Sequence, residues 1–340
     1  MKCIANLILV TIFSTVAVLA RKPPPLKITT YWEGDFRYQL YGDGTAVLLN
    51  TPMGYLLDST IPATIYYQNH EFHVTEIAEN AFYDKEVEKL TIDSKNTGLI
   101  IRKNAFYGIR NFKEFVINSS SVTAEIDAFN NIGSKVDVYG AGVPNFAEKY
   151  ISKLLKQWGL PVGNNYNSVD DYTKMRNLFT LGKNFQRTFN IYDKASSPNN
   201  AASVLITGAG SRNGLTRLYR IFAMTMGISN EEILAGCDDI HYCWNYVKVN
   251  IDEGKKWYVF DINDRIGDNT TWNLSAFKKE SKFVSNTLKS FYGSSMNINP
   301  HNFIIHNNRY NYRYESKYDY LNSENFDSYL KRTNGGQRTL

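Results

Sequence analysis

Three Ala-Phe pairs, Ala81-Phe82, Ala105-Phe106 and Ala128-Phe129, follow one another at steps of 24 and 23 residues. Each sits in a longer similar unit, IAENAFYDKEVEKLTI (77–92), IRKNAFYGIRNFKEFVI (101–117) and EIDAFNNIGSKVDV (125–138), in which the pair precedes a turn and a short β-type strand. A fixed period in the twenties predicts units that bury their apolar side only against their neighbours, stacked into a solenoid. In such a stack each Phe is a core knob, and each Ala is small enough to let adjacent turns close. Ahead of the repeats, FRYQLYGDGTAVLL places apolar and aromatic runs on either side of Gly42-Asp43-Gly44, which predicts a β-hairpin.

Over roughly residues 60–140 these units resemble the BspA-like leucine-rich repeats found on the surfaces of bacteria and parasitic protozoa, whose core is Ile-x-x-x-Ala-Phe followed by a strand. A stack needs a cap where its apolar end would otherwise meet water. The segment VPNFAEKYISKLLKQWGLPVG (143–163) sets Phe146, Tyr150, Leu154, Leu155 and Trp158 at helical spacing and stops at Gly159 and Pro161. It is expected to be a capping and linker helix.

Residues 1–20 join one early lysine, an apolar run and the small residues Val18 and Ala20, the pattern of a secretory signal peptide. Without that segment the chain holds 37 Lys and Arg against 33 Asp and Glu, a mild +4. The basic residues form no dense block, so charge gives nucleic-acid binding no support. No later stretch has the ~18 apolar residues of a transmembrane helix. A soluble, secreted or surface-exposed glycoprotein is expected, with N-glycosylation sequons at Asn118, Asn269 and Asn273. Of the cysteines outside the signal, Cys237 and Cys243 flank a short turn; a disulfide and two buried thiols both fit that spacing.

The second half, 164–300, offers a helix in SVDDYTKMRNLFTLGKNF and then the most organised stretch of the chain, Gly208 to Asp261. Gly208-Ala209-Gly210 enters a helix with Leu215, Leu218, Tyr219, Phe222 and Met226 at the 3.6 period. Two strands follow. In HYCWNYVKVN, Tyr242, Trp244 and Tyr246 share one face and Cys243, Asn245 and Val247 the other; in WYVFD, Trp257, Val259 and Asp261 share a face. Pairing of these strands is expected to bring position 242 and Asp261 together above the start of the helix.

The order resembles the transglutaminase-like superfamily, papain-related enzymes with a Cys-His-Asp triad, over roughly 165–285. Gly208, Gly210 and Gly214 match the glycines that enter the nucleophile helix. Trp244, Asn245 and Val247 match the strand after the catalytic histidine, and Trp257, Tyr258 and Asp261 match the last motif. The resemblance implies a thiol where this chain has Arg212, a histidine where it has Tyr242, and an orienting acid that is kept as Asp261. Arginine is not a nucleophile, and a phenol with pKa about 10 is a poor base near neutrality.

Three residues offer a rearranged site: Ser211 as nucleophile in a shifted turn, His241 as base if a bulge re-aims it, and Cys243 beside it. The expected fold class is α+β, a short β-rich leucine-rich-repeat solenoid (27–142), the capping helix (143–163) and a transglutaminase-like α+β domain (164–300). A polar Tyr- and Asn-rich tail follows (301–340). The expected function is binding or adhesion to a protein or peptide ligand, possible ligands including a host or matrix surface, by a pseudoenzyme with no cofactor and no metal. The alternatives are an active peptidase or acyl transferase, and a second domain that only supports an interaction made by the repeats.

Overall fold

The computed structural model describes residues 25–279 apart from 134, 164–165, 193–199, 230–231, 238–242, 251–253, 265 and 267–275. The signal segment, residues 280–300, the whole tail 301–340 and the expected residues His241, Tyr242, Asn269 and Asn273 lie outside the described residues. The architecture is mixed α+β, with three antiparallel strands leading into two parallel ladders.

Strands β1 (Lys27–Glu33), β2 (Phe36–Tyr41) and β3 (Thr45–Asn50) form an antiparallel meander. The β2–β3 turn is fixed by Asp43 Oδ1, which accepts from the Thr45 N–H at 3.1 Å, and by Gly44 at φ +80°. After β4 (Tyr55–Ile61), a second hairpin joins β5 (Thr64–Tyr67) to β6 (His70–Ile77) through Gln68 and Asn69, both left-handed at φ +49° and +62°. That turn carries no glycine, and nothing in its composition marks it. The remaining strands of this half are β7 (Glu86–Ile92), β8 (Ile100–Ile101), β9 (Glu114–Ile117), β10 (Thr123–Ala124) and β11 (Asp137–Tyr139).

Beyond the meander and the β5–β6 hairpin, the pairing of β3 to β11 is parallel. One ladder runs β3-β6-β8-β10, in which Glu76 pairs with Ile100 and Ile100 with Thr123. The other runs β4-β7-β9-β11, in which Lys89 pairs with Glu114 and Glu114 with Asp137. The first ladder thus advances by 24 and 23 residues, the steps of the Ala-Phe pairs, and the second by 25 and 23, because each pair solves the same packing problem one turn on. Ala81, Ala105 and Ala128 are fully buried, and the N–H groups of Phe82 and Phe106 donate to Ala105 and Ala128 C=O at 2.8 and 3.1 Å. The residue two past each Phe is left-handed, and the sequence supplies the three types that tolerate this: Asp84, Gly108 and Asn131.

The three phenylalanines stack in parallel, Phe82 on Phe106 at 5.1 Å and Phe106 on Phe129 at 5.4 Å, planes 7° apart in both. At each end the stack meets a ring edge. Phe36 of β2 closes one side at 79°, and Phe146 closes the other at 85°. Surface pairs such as Lys89–Asp58 and Lys113–Glu88 cross neighbouring turns, where solvent screening leaves them little weight. Burial of the rings therefore outweighs them.

Helix α1 (Val143–Gln157) begins where the backbone has no room for a side chain: a Cβ on Gly142 would lie 2.0 Å from Ser119 O, and one on Gly140 2.4 Å from Ile117 O. Its apolar arc is wide, so it is covered on two sides. Phe146 and Tyr150 meet Phe129, while Trp158 beyond its end stacks on Phe222 at 5.2 Å. The expected linker is thus an interior element, and one continuous core runs from Phe36 to Phe277.

Helices α2 (Asp171–Thr188), α3 (Ala201–Thr207) and α4 (Arg212–Met226) follow, with short parallel strands β12 (Asn190–Ile191) and β13 (Ala209–Gly210) between them. An antiparallel sheet, β14 (Ile233–Cys237), β15 (Cys243–Asn250), β16 (Lys255–Phe260) and β17 (Lys278–Lys279), covers α4 in that order. Among the described residues no helix is long and apolar enough to cross a membrane.

Candidate functional site

Gly208 ends α3 in the left-handed conformation at φ +71°, β13 carries the chain past buried Gly210, and Ser211 caps α4. Its Oγ accepts from the Gly214 N–H at 3.2 Å, which satisfies one of the free amides of the first turn. Arg212 is the first residue of the helix and is half-buried. A cation at the positive end of the helix dipole is unfavourable by itself.

The sheet meets α4 one turn further on. Asn245 Nδ2 donates to Thr216 C=O at 3.1 Å, and Asn263 Nδ2 donates to Thr216 Oγ1 at 3.1 Å and to Cys243 C=O at 2.6 Å. Phe260 stacks on Tyr219 at 5.4 Å. The Asn263 N–H closes a turn onto Asp261 Oδ1 at 2.9 Å, and Asp261 is buried. Asn263 thus ties the strand of one motif, the acid of another and the helix of the third. Nothing in its spacing singles it out in the sequence.

The β15–β16 register pairs Asn245 with Phe260 and Tyr246 with Val259, and the face turned to α4 is that of Asn245, Val247 and Phe260; the expected meeting of position 242 with Asp261 involves a residue outside the described ones. Trp244 and Tyr246, in edge-to-face contact at 6.1 Å and both fully buried, occupy the other face. Alternation fixes which residues share a face, whereas packing decides which face a helix covers, and the polar Asn245 reaches a helix carbonyl that only its own side can meet.

Cys243 is disulfide-bonded, and the β14–β15 register sets Cys237 directly across from it. Trp257 is half-buried, with Lys248 Nζ 5.7 Å from its ring. Asn118 is half-buried at the end of β9, its N–H bonded to Ile92 C=O at 3.3 Å. Among the described residues no group of three His, Cys, Asp or Glu is placed to hold a metal ion.

Beside the start of α4 lies a cleft of about 410 Å³. Lys183, Gln186 and Arg187 of α2, Asn190 and Ile191 of β12, Leu215 of α4, and Ile262, Asn263 and Ile266 line it. Gln186 fixes its wall: Nε2 donates to Ile262 and Asp264 C=O at 2.6 and 2.7 Å, and Oε1 accepts from the Ile266 N–H at 2.8 Å.

No family model matches the chain, and no curated protein does. Solved structures are similar to part of it. A leucine-rich cell surface protein from Faecalibacterium prausnitzii shares 22% identity over 33% of this chain and 32% of its own, with a TM-score of 0.24. A leucine-rich repeat protein from Bacteroides capillosus shares 21% identity over 33% of this chain and 99% of its own, TM-score 0.23. A third, from Bacteroides ovatus, shares 17% over 32% and 37%, TM-score 0.22. The match thus spans about a third of the first and third of those chains.

Proposed function

We propose that this chain is a secreted or surface-exposed binding protein in which a short leucine-rich-repeat solenoid of BspA-like type is fused to a transglutaminase-like domain that has lost its catalysis. The observation that carries this reading is the first turn of α4. A thiolate there would draw on the free amides and the dipole. That turn instead holds Ser211, whose hydroxyl oxygen serves as the helix cap, followed by Arg212. Cys243, the cysteine of β15, is disulfide-bonded. With the nucleophile absent, a triad loses most of its rate whatever stands at the base position. Adhesion to protein or peptide ligands is the use of the remaining surfaces.

The test is turnover of amide, ester and acyl-acceptor substrates by the full chain, compared with an Arg212→Ala/Asp261→Ala control. No difference between the two is expected. Turnover that disappears in Ser211→Ala or His241→Ala would replace this reading with that of an active peptidase or acyl transferase. Ligand binding unchanged by alanine at Arg212, Tyr242 and Asp261 would assign the interaction to the repeats instead.

A further inference from the structure

We infer that β1 is the self-association surface of this protein: two copies join antiparallel along its free edge, about a twofold axis at Tyr31, and the repeat sheet continues from one molecule into the other. Backbone, side chains and charge of the strand each carry this inference, which stands apart from whatever the second half of the chain binds.

β1 stands at the end of the order β1-β2-β3-β6-β8-β10 and pairs with β2 alone. The opposite edge of that sheet is closed by α1, whose Lys153 Nζ donates to the Ala124 C=O of β10 at 2.6 Å. Glu33 and Phe36 flank the two-residue turn at Gly34 and Asp35 and are a bonded pair, so alternation bonds Tyr31 and Thr29 to β2 and turns the peptide groups of Thr30 and Trp32 outwards. Among the described residues those outward groups receive only a 3.3 Å contact, from Thr29 Oγ1 to the Thr30 C=O. No proline or charge stands between Lys27 and Glu33, so the middle of the strand lacks the devices that keep an edge single.

Both faces of the strand suit a second copy of itself. With Tyr31 on the axis, Thr30 and Trp32 of one copy exchange N–H···O=C bonds with Trp32 and Thr30 of the other. Tyr31, half-buried with its ring 5.1 Å from Tyr67, then meets the second Tyr31 in the closer, non-bonded kind of pair, where aromatic rings stabilise an antiparallel sheet. On the other face Trp32 is 47% and Ile28 52% exposed. Arg37 holds this face in place, its guanidinium 5.5 Å from the Trp32 ring and its Nη2 donating to Thr30 Oγ1 at 3.4 Å. Apolar surface there leaves water on pairing. Charge selects the antiparallel sense. Lys27 begins the strand, Glu33 ends it and Asp35 follows; among the described residues neither Lys27 nor Glu33 is in an ion pair, and Glu33 uses one oxygen, Oε2, to accept from the Tyr66 N–H at 3.1 Å. Antiparallel joining sets Lys27 against Asp35 and Glu33 of the second copy, whereas parallel joining sets like charge against like. A register shift between Lys27 and Thr29 ends the regular edge, and Pro23, Pro24 and Pro25 precede it in the sequence, so the ladder is short and the twofold contact closes as a pair.

Sedimentation velocity of the full chain between about 1 and 100 μM is expected to show a reversible monomer–dimer equilibrium, since a contact this small belongs to the weak class of interfaces. Thr30→Pro removes an N–H that β2 does not use and should weaken dimerisation at least about tenfold, with the unfolding midpoint measured alongside to separate this from a folding defect. Lys27→Glu should weaken it as well, most at low salt, and Lys27→Glu/Glu33→Lys should recover part of the loss. Under mild oxidation Tyr31→Cys should link two chains by a disulfide and Thr29→Cys should not, because only position 31 meets its own copy. A chain that stays monomeric at about 100 μM, a dimer indifferent to Thr30→Pro, linkage through Thr29→Cys in place of Tyr31→Cys, or a series of higher oligomers overturns the assignment.

Discussion

The Val138 N–H donates to Ser203 Oγ at 2.9 Å, and both side chains are buried. Val138 belongs to the last strand of a parallel ladder, whose outer edge would otherwise present unpaired amides. A helix from the second half of the chain supplies the acceptor. Beside it, Asn200 Nδ2 donates to Asp137 Oδ1 at 2.9 Å while Asn200 Oδ1 caps the same helix. The end of the repeats and the start of the second half are therefore one structure.

Ser203→Ala leaves the Val138 N–H buried without an acceptor, a loss of about 1–3 kcal/mol. Urea unfolding followed by tryptophan fluorescence and by circular dichroism should show one shifted transition common to both probes. Two separated transitions would contradict a shared core.

Phe106 touches a ring on each side, and Phe106→Ala should cost about 3–5 kcal/mol. Tyr107 next to it also stacks, on Tyr83 at 5.7 Å, but is 37% exposed. Tyr107→Ala should cost less than about 1 kcal/mol. Denaturation midpoints of the two variants decide whether the buried ladder or the exposed one holds the turns together.

Gly142→Ala forces a methyl group to within 2.0 Å of a backbone oxygen. Neither Ser119 nor the start of α1 can yield without breaking the Gly142 N–H bond to Ile117 C=O, 2.8 Å long. A loss of about 3 kcal/mol or more is expected, with hydrogen exchange rising first along α1. Unchanged protection there would mean that the helix is seated by its side chains alone.

Burial pushes the phenols of Tyr38, Tyr150 and Tyr219 well above the ordinary tyrosine range; negative charge on Glu33 and Asp35 adds to this for Tyr38, and Asp127 for Tyr150. The folded protein keeps these protons where the unfolded chain loses them. Stability is therefore full below the unfolded phenol value of about 10 and falls as pH rises past it. Tyr150, which donates to Ile126 C=O, is the one to replace. Tyr150→Phe should lower stability by about 1 kcal/mol at pH 7 and flatten the alkaline slope, measured by urea unfolding between pH 7 and 11.

The period of the ladders is legible in the sequence because every turn buries the same Ala and Phe in the same place. The turn at Gln68 and Asn69 is not, since left-handed residues other than glycine leave no strong local mark. For α1 the spacing shows a broad apolar arc but not that two different partners share it. In β15 the alternation separates Trp244 from Asn245 without saying which of them meets the helix. Asn263 escapes notice altogether: a single polar residue in a turn has no period, and its role exists only where three distant segments meet.

Ring spacing in the Phe82, Phe106 and Phe129 stack repeats nearly unchanged, and only its two ends are specialised, by Phe36 and by Phe146. A whole unit inserted between Phe82 and Phe106 would find the same neighbour above and below, and would displace the capped end by about 4.8 Å, one strand spacing. The length of the molecule can therefore be changed in discrete steps during evolution while both terminal surfaces keep their form.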